Sequence, residues 1–243
     1  MSLQDLFGEA STRPVDQDST TIAGADAYKQ RWVVASECGG SRTKLQVVDD
    51  FPSLLGCGFD LLVIDVPIGL MEAGRRHADY AARALLGPRR NSVFPAPLRP
   101  ALGASSWEEA CAIRQRIEGK RYSKQTFGIL PLIRAVDRHM TPALQERVRE
   151  GHPEVSFRLL HGSPLLLPKT TEEGHALRKA LLLEQFPDLE RSIDELGRPG
   201  ARNDVLDAYS LLWTARRIVS GSATVLPPTP QIDTKGLRAE IVA

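Results

Sequence analysis

A continuous apolar run from Leu61 to Ile64 predicts a strand that is buried on both faces of a sheet. Asp65 follows this run directly, and Pro67 and Gly69 end the strand just beyond it. Ligands and catalytic groups collect beyond the carboxyl ends of strands in open α/β sheets. A carboxylate in that position needs a cation, a metal or a hydrogen-bond partner. Asp65 is therefore either part of a site or a turn cap. The presence of other acidic residues near it would favour a site.

Upstream of this strand, three segments of small and β-branched residues predict an antiparallel meander with short turns. The strands span residues 20–26, 31–36 and 43–48, and turns lie at 28–30 and 39–41. A brief helical crossover at 51–58 leads to the strand at Leu61, which we expect to run parallel to the first strand as its neighbour. Asp26 ends the first strand, so Asp26 and Asp65 are predicted to share one edge of the sheet.

Helical periodicity dominates the remainder of the chain. The predicted helices cover residues 75–86, 107–118, most of 123–150, 171–186, 188–196 and 203–219. Residues 148–157 predict a strand that runs into a turn carrying His152 and Glu154, and residues 237–242 predict an edge strand. Loops are expected at 89–97 and 164–169, with a Gly/Pro hinge at 198–201. This order of elements predicts an α/β fold with a mobile leader over 1–19. A single domain is expected over 20–243, with a helical insertion at about 88–149.

Composition excludes several classes of protein. The 243 residues are 42% hydrophobic and carry a formal net charge of +1, which gives no global signature of nucleic-acid binding. Cys38, Cys57 and Cys111 have neither a disulfide framework nor the spacing of a zinc site. No stretch approaches the length of a membrane span, and residues 1–19 lack the apolar core of a signal peptide. We therefore expect a cytoplasmic protein with no membrane partner.

A second pair of acids lies near the start of the last predicted helix. Asp204 and Asp207 are three residues apart, so their side chains share one helix face. Acids in a first turn also stabilise the helix dipole, which is the simpler explanation. If the pair meets Asp26 and Asp65, the four carboxylates form a hard-oxygen site that selects Mg²⁺ or Mn²⁺. Ions bound in this way can activate a water for phosphodiester hydrolysis.

Other side chains are candidates for supporting roles. His152 and Glu154 are candidates for orienting the attacking water, although an isolated histidine is more often structural. The candidate phosphate-binding or substrate-binding residues are Arg89, Arg90, Lys124, Gln125, Lys169 and Arg178. Basic side chains in loops and helices are in most proteins simply solvated. The chain has no Walker loop, no GxSxG elbow and no GxGxxG after a strand.

Several ordered motifs resemble the predicted ribonuclease H-like nuclease family, a domain family of unknown function. From about residue 20 to the C-terminus they read AGAD, RWVVA, IDVPIGL, AARALLGPRRNSVFPAP, SKQTFGILPLI, GHPEVSF, PKTTEEGHALR and DVLDAYSLLWTARRI. The resemblance implies a mixed five-stranded sheet of order 3-2-1-4-5 with an antiparallel second strand and flanking helices. It also implies that the catalytic metals are held by Asp26, Asp65, Asp204 and Asp207.

The expected function is that of a nuclease that hydrolyses phosphodiester bonds of nucleic acid with Mg²⁺ or Mn²⁺. Two alternatives remain open. An actin-like nucleotide-binding or phosphotransfer protein shares the sheet topology, but residues 27–30 do not form a glycine-rich phosphate loop. A non-catalytic binding module would be favoured if Asp26 and Asp65 lay farther apart than a metal can bridge.

Overall fold

The computed structural model of the chain describes residues 19–28, 31–196 and 202–243. Three sequence-based predictions fall on residues outside these ranges. They are the leader except for Ser19, the turn residues 29–30 and the hinge at 198–201.

Five strands form one mixed sheet, and its order β3-β2-β1-β4-β5 confirms the predicted order. The strands are β1 (Thr21–Tyr28), β2 (Arg31–Cys38), β3 (Lys44–Val48), β4 (Leu61–Ile64) and β5 (Val148–Glu150). The first three pair antiparallel, and β4 lies parallel between β1 and β5. The meander and the parallel placement of the Leu61 strand beside the first strand are thus confirmed. β1 continues for two residues beyond Asp26.

Ten α-helices and two short 3₁₀-helices are present in the described residues. The α-helices are α1 (Phe51–Gly56), α2 (His77–Leu86), α3 (Trp107–Glu118), α4 (Lys124–Gly128), α5 (Leu130–His139), α6 (Pro142–Gln145), α7 (Pro153–His161), α8 (Glu172–Leu183), α9 (Leu189–Leu196) and α10 (Arg202–Val219). The 3₁₀-helices are Gly87–Ser92 and Arg99–Gly103. None of the described helices is long and apolar enough to cross a membrane. The chain between β4 and β5 is largely helical, while the predicted division into one domain with an insertion stays a prediction.

Two of the predicted elements differ from the observed ones. The strand predicted over 148–157 is only three residues long, because Pro153, with its φ already fixed, starts α7 directly after His152. The edge strand predicted at 237–242 is present as β7 (Arg238–Val242), but it pairs with β6 (Val225–Ile232) in a second sheet. An isolated bridge between Gly151 and Val242 joins it to the end of β5.

Alternate residues of the central strands face opposite sides of the main sheet. Ile22 and Val63 belong to the apolar cluster that includes the buried face of α10. Ala23 and Leu62 point the other way, into a cluster with residues of α1, α3 and α5. Because both faces are covered by apolar side chains, the polar groups at the strand ends are the places where chemistry can occur.

Gly24 allows α10 to lie directly against β1. A Cβ atom at this position would come within 2.1 Å of the Leu212 nitrogen and 2.3 Å of the Ala208 oxygen, both of which are backbone atoms. Helix backbone cannot move aside as a flexible side chain can. Gly24 therefore sets the separation between the strand that carries Asp26 and the helix that carries Asp207.

We expect Gly24→Ala to lower the free energy of unfolding by about 1–3 kcal/mol or more, because the added methyl group overpacks a contact between two backbones. The matched control is Gly56→Ala in α1, where a Cβ atom meets no described atom within 4 Å. Urea denaturation of both variants measures the effect. Equal stability of the two variants would contradict the close packing of α10 on β1.

Candidate functional site

Asp26 and Asp65 lie side by side at the carboxyl ends of two adjacent parallel strands. Ala25 pairs with Ile64, which is the last pair of the register, and the Asp65 N–H donates to the Ala25 carbonyl at 3.3 Å, so each acid directly follows a member of that pair. Asp26 is two residues beyond Gly24 and therefore faces α10. It is 8% exposed, and its Oδ1 accepts a hydrogen bond from the Ala27 N–H at 2.8 Å.

Asp207 completes the group from the opposite side. It is 1% exposed in the second turn of α10, and the Lys169 Nζ donates to its Oδ2 at 2.5 Å. Lys169 comes from the loop before α8, and its side chain is 40% exposed. The other carboxylate oxygen of Asp207, Oδ1, is buried and has no hydrogen-bond partner among the described residues. An unsatisfied buried acceptor costs about 1–3 kcal/mol unless a ligand satisfies it.

Burial and mutual repulsion raise the pKa values of these acids. Burial raises the pKa of Asp26 well above its usual range, and the nearby charges of Asp207 and Asp65 raise it further. Burial raises the pKa of Asp207 to about 6, although Lys169 opposes the shift. Burial also raises the pKa of Asp65, against the charges of His152 and Lys169.

Lys169 is the cation at the centre of this cluster. Burial disfavours its protonated form, but the charge and hydrogen bond of Asp207, together with the charges of Asp26 and Asp65, outweigh burial and raise its pKa. One ammonium group thus faces three carboxylates that come from three separate elements. When all three acids are ionised, three negative charges face the one positive charge of Lys169.

Asp204 lies at the rim of the cluster. It is half-buried one turn before Asp207, and burial raises its pKa while Lys169 lowers it. It lines a separate small pocket with Lys169, His175 and Asn203. The four predicted acids therefore converge, with Asp26, Asp65 and Asp207 at the centre and Asp204 at the edge.

The donor chemistry of the three central acids fits a hard divalent cation, because all their ligand atoms are oxygens and one of them has no described partner. In the described residues, no three or more His, Cys, Asp or Glu side chains are already grouped closely enough to hold a metal ion. The ammonium of Lys169 lies among the carboxylates instead. An ion would have to draw these oxygens together.

A family model covers most of the chain and all the acids of this cluster. It matches residues 24–232. The chain belongs to the family of proteins of unknown function called DUF429. No curated protein and no solved structure matches it. The family match thus includes Asp26, Asp65 and Asp207. It assigns no activity to them, because the function of the family is unknown.

Glu154 and Arg178 form a buried pair beside the acids. The Arg178 Nε and Nη2 donate to the two carboxylate oxygens of Glu154 at 3.0 and 2.7 Å, and Nη1 donates to the carbonyls of Leu167 and Gly174. Arg178 is 1% exposed. All three of its nitrogens are engaged, so it is unavailable to a phosphate, which corrects the prediction made for it. Glu154 is held in place by the same contacts.

A pocket of about 460 Å³ opens over Asp26 and Asp65 and is lined by six of the twelve predicted site residues. Its polar lining includes Asp26, Asp65, Arg89, His152, Glu154 and Lys169. His152, which precedes α7, has its Nε2 3.4 Å from the Ser92 carbonyl. Its Nδ1 and the Nε of Arg89 are buried, and neither has a hydrogen-bond partner in the part of the chain that the structure describes. Unpartnered polar atoms of this kind are what a bound ligand would satisfy.

Three other candidate substrate-binding residues lie outside the lining of this pocket. Arg90, Lys124 and Gln125 are exposed on the surface. The Lys124 ammonium lies 5.8 Å from the centre of the Trp107 ring. A role for these three side chains in binding substrate stays a prediction.

Sequence reasoning missed a buried network behind the acids. Arg76 donates to both oxygens of Glu150, to Asp79 at 2.7 Å, and to the carbonyls of Ile68 and Gly69. Glu150 also accepts the Ile68 N–H at 2.6 Å. These contacts fix the turn that follows Asp65. Glu150 could have been found, since it is an acid at the end of the third parallel strand, but its partner Arg76 lies 74 residues away along the chain.

We expect Asp26→Asn to raise the free energy of unfolding of the metal-free protein at pH 7 by on the order of 1 kcal/mol or more. Because the pKa of Asp26 is raised in the folded state, its favourable contribution is complete below the ordinary value of 3.8 and is lost as pH rises through the folded value. Asparagine keeps the oxygen that accepts from Ala27 but removes the repelled charge. Urea denaturation in EDTA at pH 4 and pH 7 measures the gain, which should appear only at pH 7.

The matched control for this experiment is Asp49→Asn, whose carboxylate is 71% exposed and forms a surface ion pair with Arg31 at 2.5 Å. Because exposed ion pairs contribute about 0–1 kcal/mol, this change should lower stability slightly or not at all, and it should not raise it at pH 7. A loss of stability in Asp26→Asn at pH 7 would show that the cluster is not a site of repulsion.

Proposed function

We propose that the protein is a divalent-metal-dependent hydrolase that cleaves phosphodiester bonds of nucleic acid on a ribonuclease H-like fold. The observation that carries this proposal is the convergence of Asp26, Asp65 and Asp207 around a single cation, with the buried Oδ1 of Asp207 left without a described partner. The sheet order β3-β2-β1-β4-β5 and the sequence motifs that resemble the predicted ribonuclease H-like nuclease family support it.

The charges of the cluster favour a bound cation. Two like charges about 4 Å apart repel by about 4 kcal/mol at the effective dielectric constant near a protein surface. Lys169 offsets only part of this repulsion among the three acids. Asp26, Asp65 and Asp207, with Asp204 at the rim, would hold Mg²⁺ or Mn²⁺, which when bound supplies an activated water and stabilises the leaving oxygen.

The side chains around the acids have separate tasks in this proposal. Lys169 keeps Asp207 ionised and, with Arg89, presents positive charge to an incoming phosphate. His152 lines the pocket, and its Nδ1 has no hydrogen-bond partner among the described residues, so in this proposal the imidazole orients water. Arg178 holds Glu154 in a fixed position beside Asp65 and Asp207, so that Glu154 contributes a stationary negative charge.

We expect Asp26→Asn and Asp207→Asn each to reduce Mn²⁺-dependent cleavage of labelled DNA or RNA by more than about 100-fold, because even outer-shell partners of a metal contribute about 10–100-fold. Gel analysis of products measures cleavage, and circular dichroism verifies the fold. Asp49→Asn should cleave like the unaltered protein. Full activity in either site variant would refute the proposed role of the acids.

Metal binding can be tested without any substrate. Mn²⁺ at 100 times its dissociation constant should stabilise the protein by about 2.7 kcal/mol, because the ion binds the folded cluster and not the unfolded chain. Thermal unfolding with increasing Mn²⁺ measures this effect. Asp207→Asn should lose most of it and Asp49→Asn none. No Mn²⁺-dependent rise in the unfolding temperature of the unaltered protein would contradict a metal site.

A further inference from the structure

Phe94 is an exposed aromatic side chain on a loop that is fixed on both sides. The loop follows the 3₁₀-helix at Gly87–Ser92, and Phe94 is 48% exposed. The Val93 carbonyl accepts from Arg83 at 2.9 Å, and the Ala96 N–H donates to Asp79 at 2.7 Å. Val93 is buried at 2% exposure. The fold thus holds a large apolar ring toward solvent in a defined place.

Phe94 belongs to an apolar wall of the pocket that contains the acids. Ile129, which is 38% exposed, and Leu132 line the same pocket. Asp26 and Asp65 belong to the polar part of the same lining. A metal ion and a phosphate need only the polar part, so the apolar wall must contact another portion of a ligand.

Arg89 lies between Asp65 and Phe94 in the sequence and adds a positive charge to the pocket lining. Arg89 belongs to the pocket lining, and its buried Nε has no hydrogen-bond partner within the described residues. A guanidinium group binds phosphate oxygens through paired N–H donors. Arg90, the next residue, is exposed and lies outside the lining. Only one of the two adjacent arginines is placed to meet a ligand in this pocket.

We propose that this pocket binds one unpaired nucleotide of a single-stranded nucleic acid, with its base against Phe94 and its phosphate at Arg89. The inference rests on the proposed function and narrows its substrate from nucleic acid in general to single-stranded nucleic acid. A pocket of about 460 Å³ is in the size range of small-ligand sites. A base within a duplex presents its edges in the grooves while its faces are stacked, so it reaches an aromatic wall only when it is unpaired.

The experiment measures binding of a fluorescein-labelled oligothymidylate of about 15 nucleotides by anisotropy, with the full chain in EDTA so that the probe is not cleaved. We expect Phe94→Ala to weaken binding about tenfold, within the range of roughly 5- to 150-fold for loss of one stacked base. Phe94→Trp should restore binding, since it restores an aromatic face. A blunt duplex of the same length should bind more weakly than the single strand.

The matched control for Phe94→Ala is Tyr80→Ala, since Tyr80 is 46% exposed and lies outside this pocket. It should bind the oligonucleotide like the unaltered protein. Equal weakening by both changes, or tighter binding of the duplex than of the single strand, would overturn the proposed subsite. A polyuridylate of the same length serves as the RNA arm and should show the same dependence on Phe94.

The role of Arg89 is tested by the salt dependence of binding. Removing one phosphate contact to a single strand should lower the slope of log Kd against log salt concentration by about 0.7. We expect this change in Arg89→Gln and not in Arg116→Gln, because the Arg116 side chain is exposed and lies outside the pocket lining. An unchanged slope in Arg89→Gln would exclude the phosphate contact.

Failure of the subsite and failure of the hydrolase proposal give different results. If the chain cleaves nucleic acid but Phe94→Ala neither weakens binding nor raises KM, the hydrolase stands and the subsite is refuted. If Phe94-dependent binding of the single strand occurs with no Mn²⁺-dependent cleavage, the subsite stands and the hydrolase is refuted.

Discussion

The close contact of α10 with β1 at Gly24 is the constraint on which the site depends. Asp26 lies two residues after Gly24 on the same face of the strand, and Asp207 directly precedes Ala208, whose carbonyl faces Gly24. A side chain at residue 24 would push the helix outward and carry Asp207 with it. The apolar packing of α10 on the sheet thereby fixes the separation of two acids that repel each other. Folding energy from the core holds together charges that would otherwise separate.

This arrangement lowers the stability of the folded state, because it buries acids that repel each other. Burial raises the pKa values of Asp26 and Asp65, and in Asp26 the charge of Asp207 adds to the effect of burial. Lys169 reduces the repulsion through its ion pair with Asp207. Its side chain is 40% exposed, so it can leave the cluster more easily than a buried group could. Acids with perturbed pKa values that line a pocket are candidates for a functional site.

Sequence reasoning identified the features of the fold that depend on the local residue pattern and on chain topology. The apolar run at Leu61 to Ile64 indicated a central parallel strand, and its neighbour in the sheet followed from the meander before it. Sequence reasoning failed where contacts between distant residues decide the structure. Arg178 is 24 residues from Glu154 in sequence, and no local pattern reveals the pair. β6 was missed since the prolines of residues 225–232 argue against a strand, although an edge strand tolerates them.

Asp79 connects the two halves of the pocket. One of its oxygens accepts from Arg76, which also binds Glu150 and the turn after Asp65, and the other accepts from Ala96 in the Phe94 loop. The turn that positions Asp65 and the loop that presents Phe94 are therefore fixed by the same buried carboxylate, which is 4% exposed. The Phe94 loop and the turn after Asp65 cannot move independently, because both are bound to this network. If the protein hydrolyses a phosphodiester as proposed, this rigid coupling would position the reacting phosphate against a fixed set of ligands.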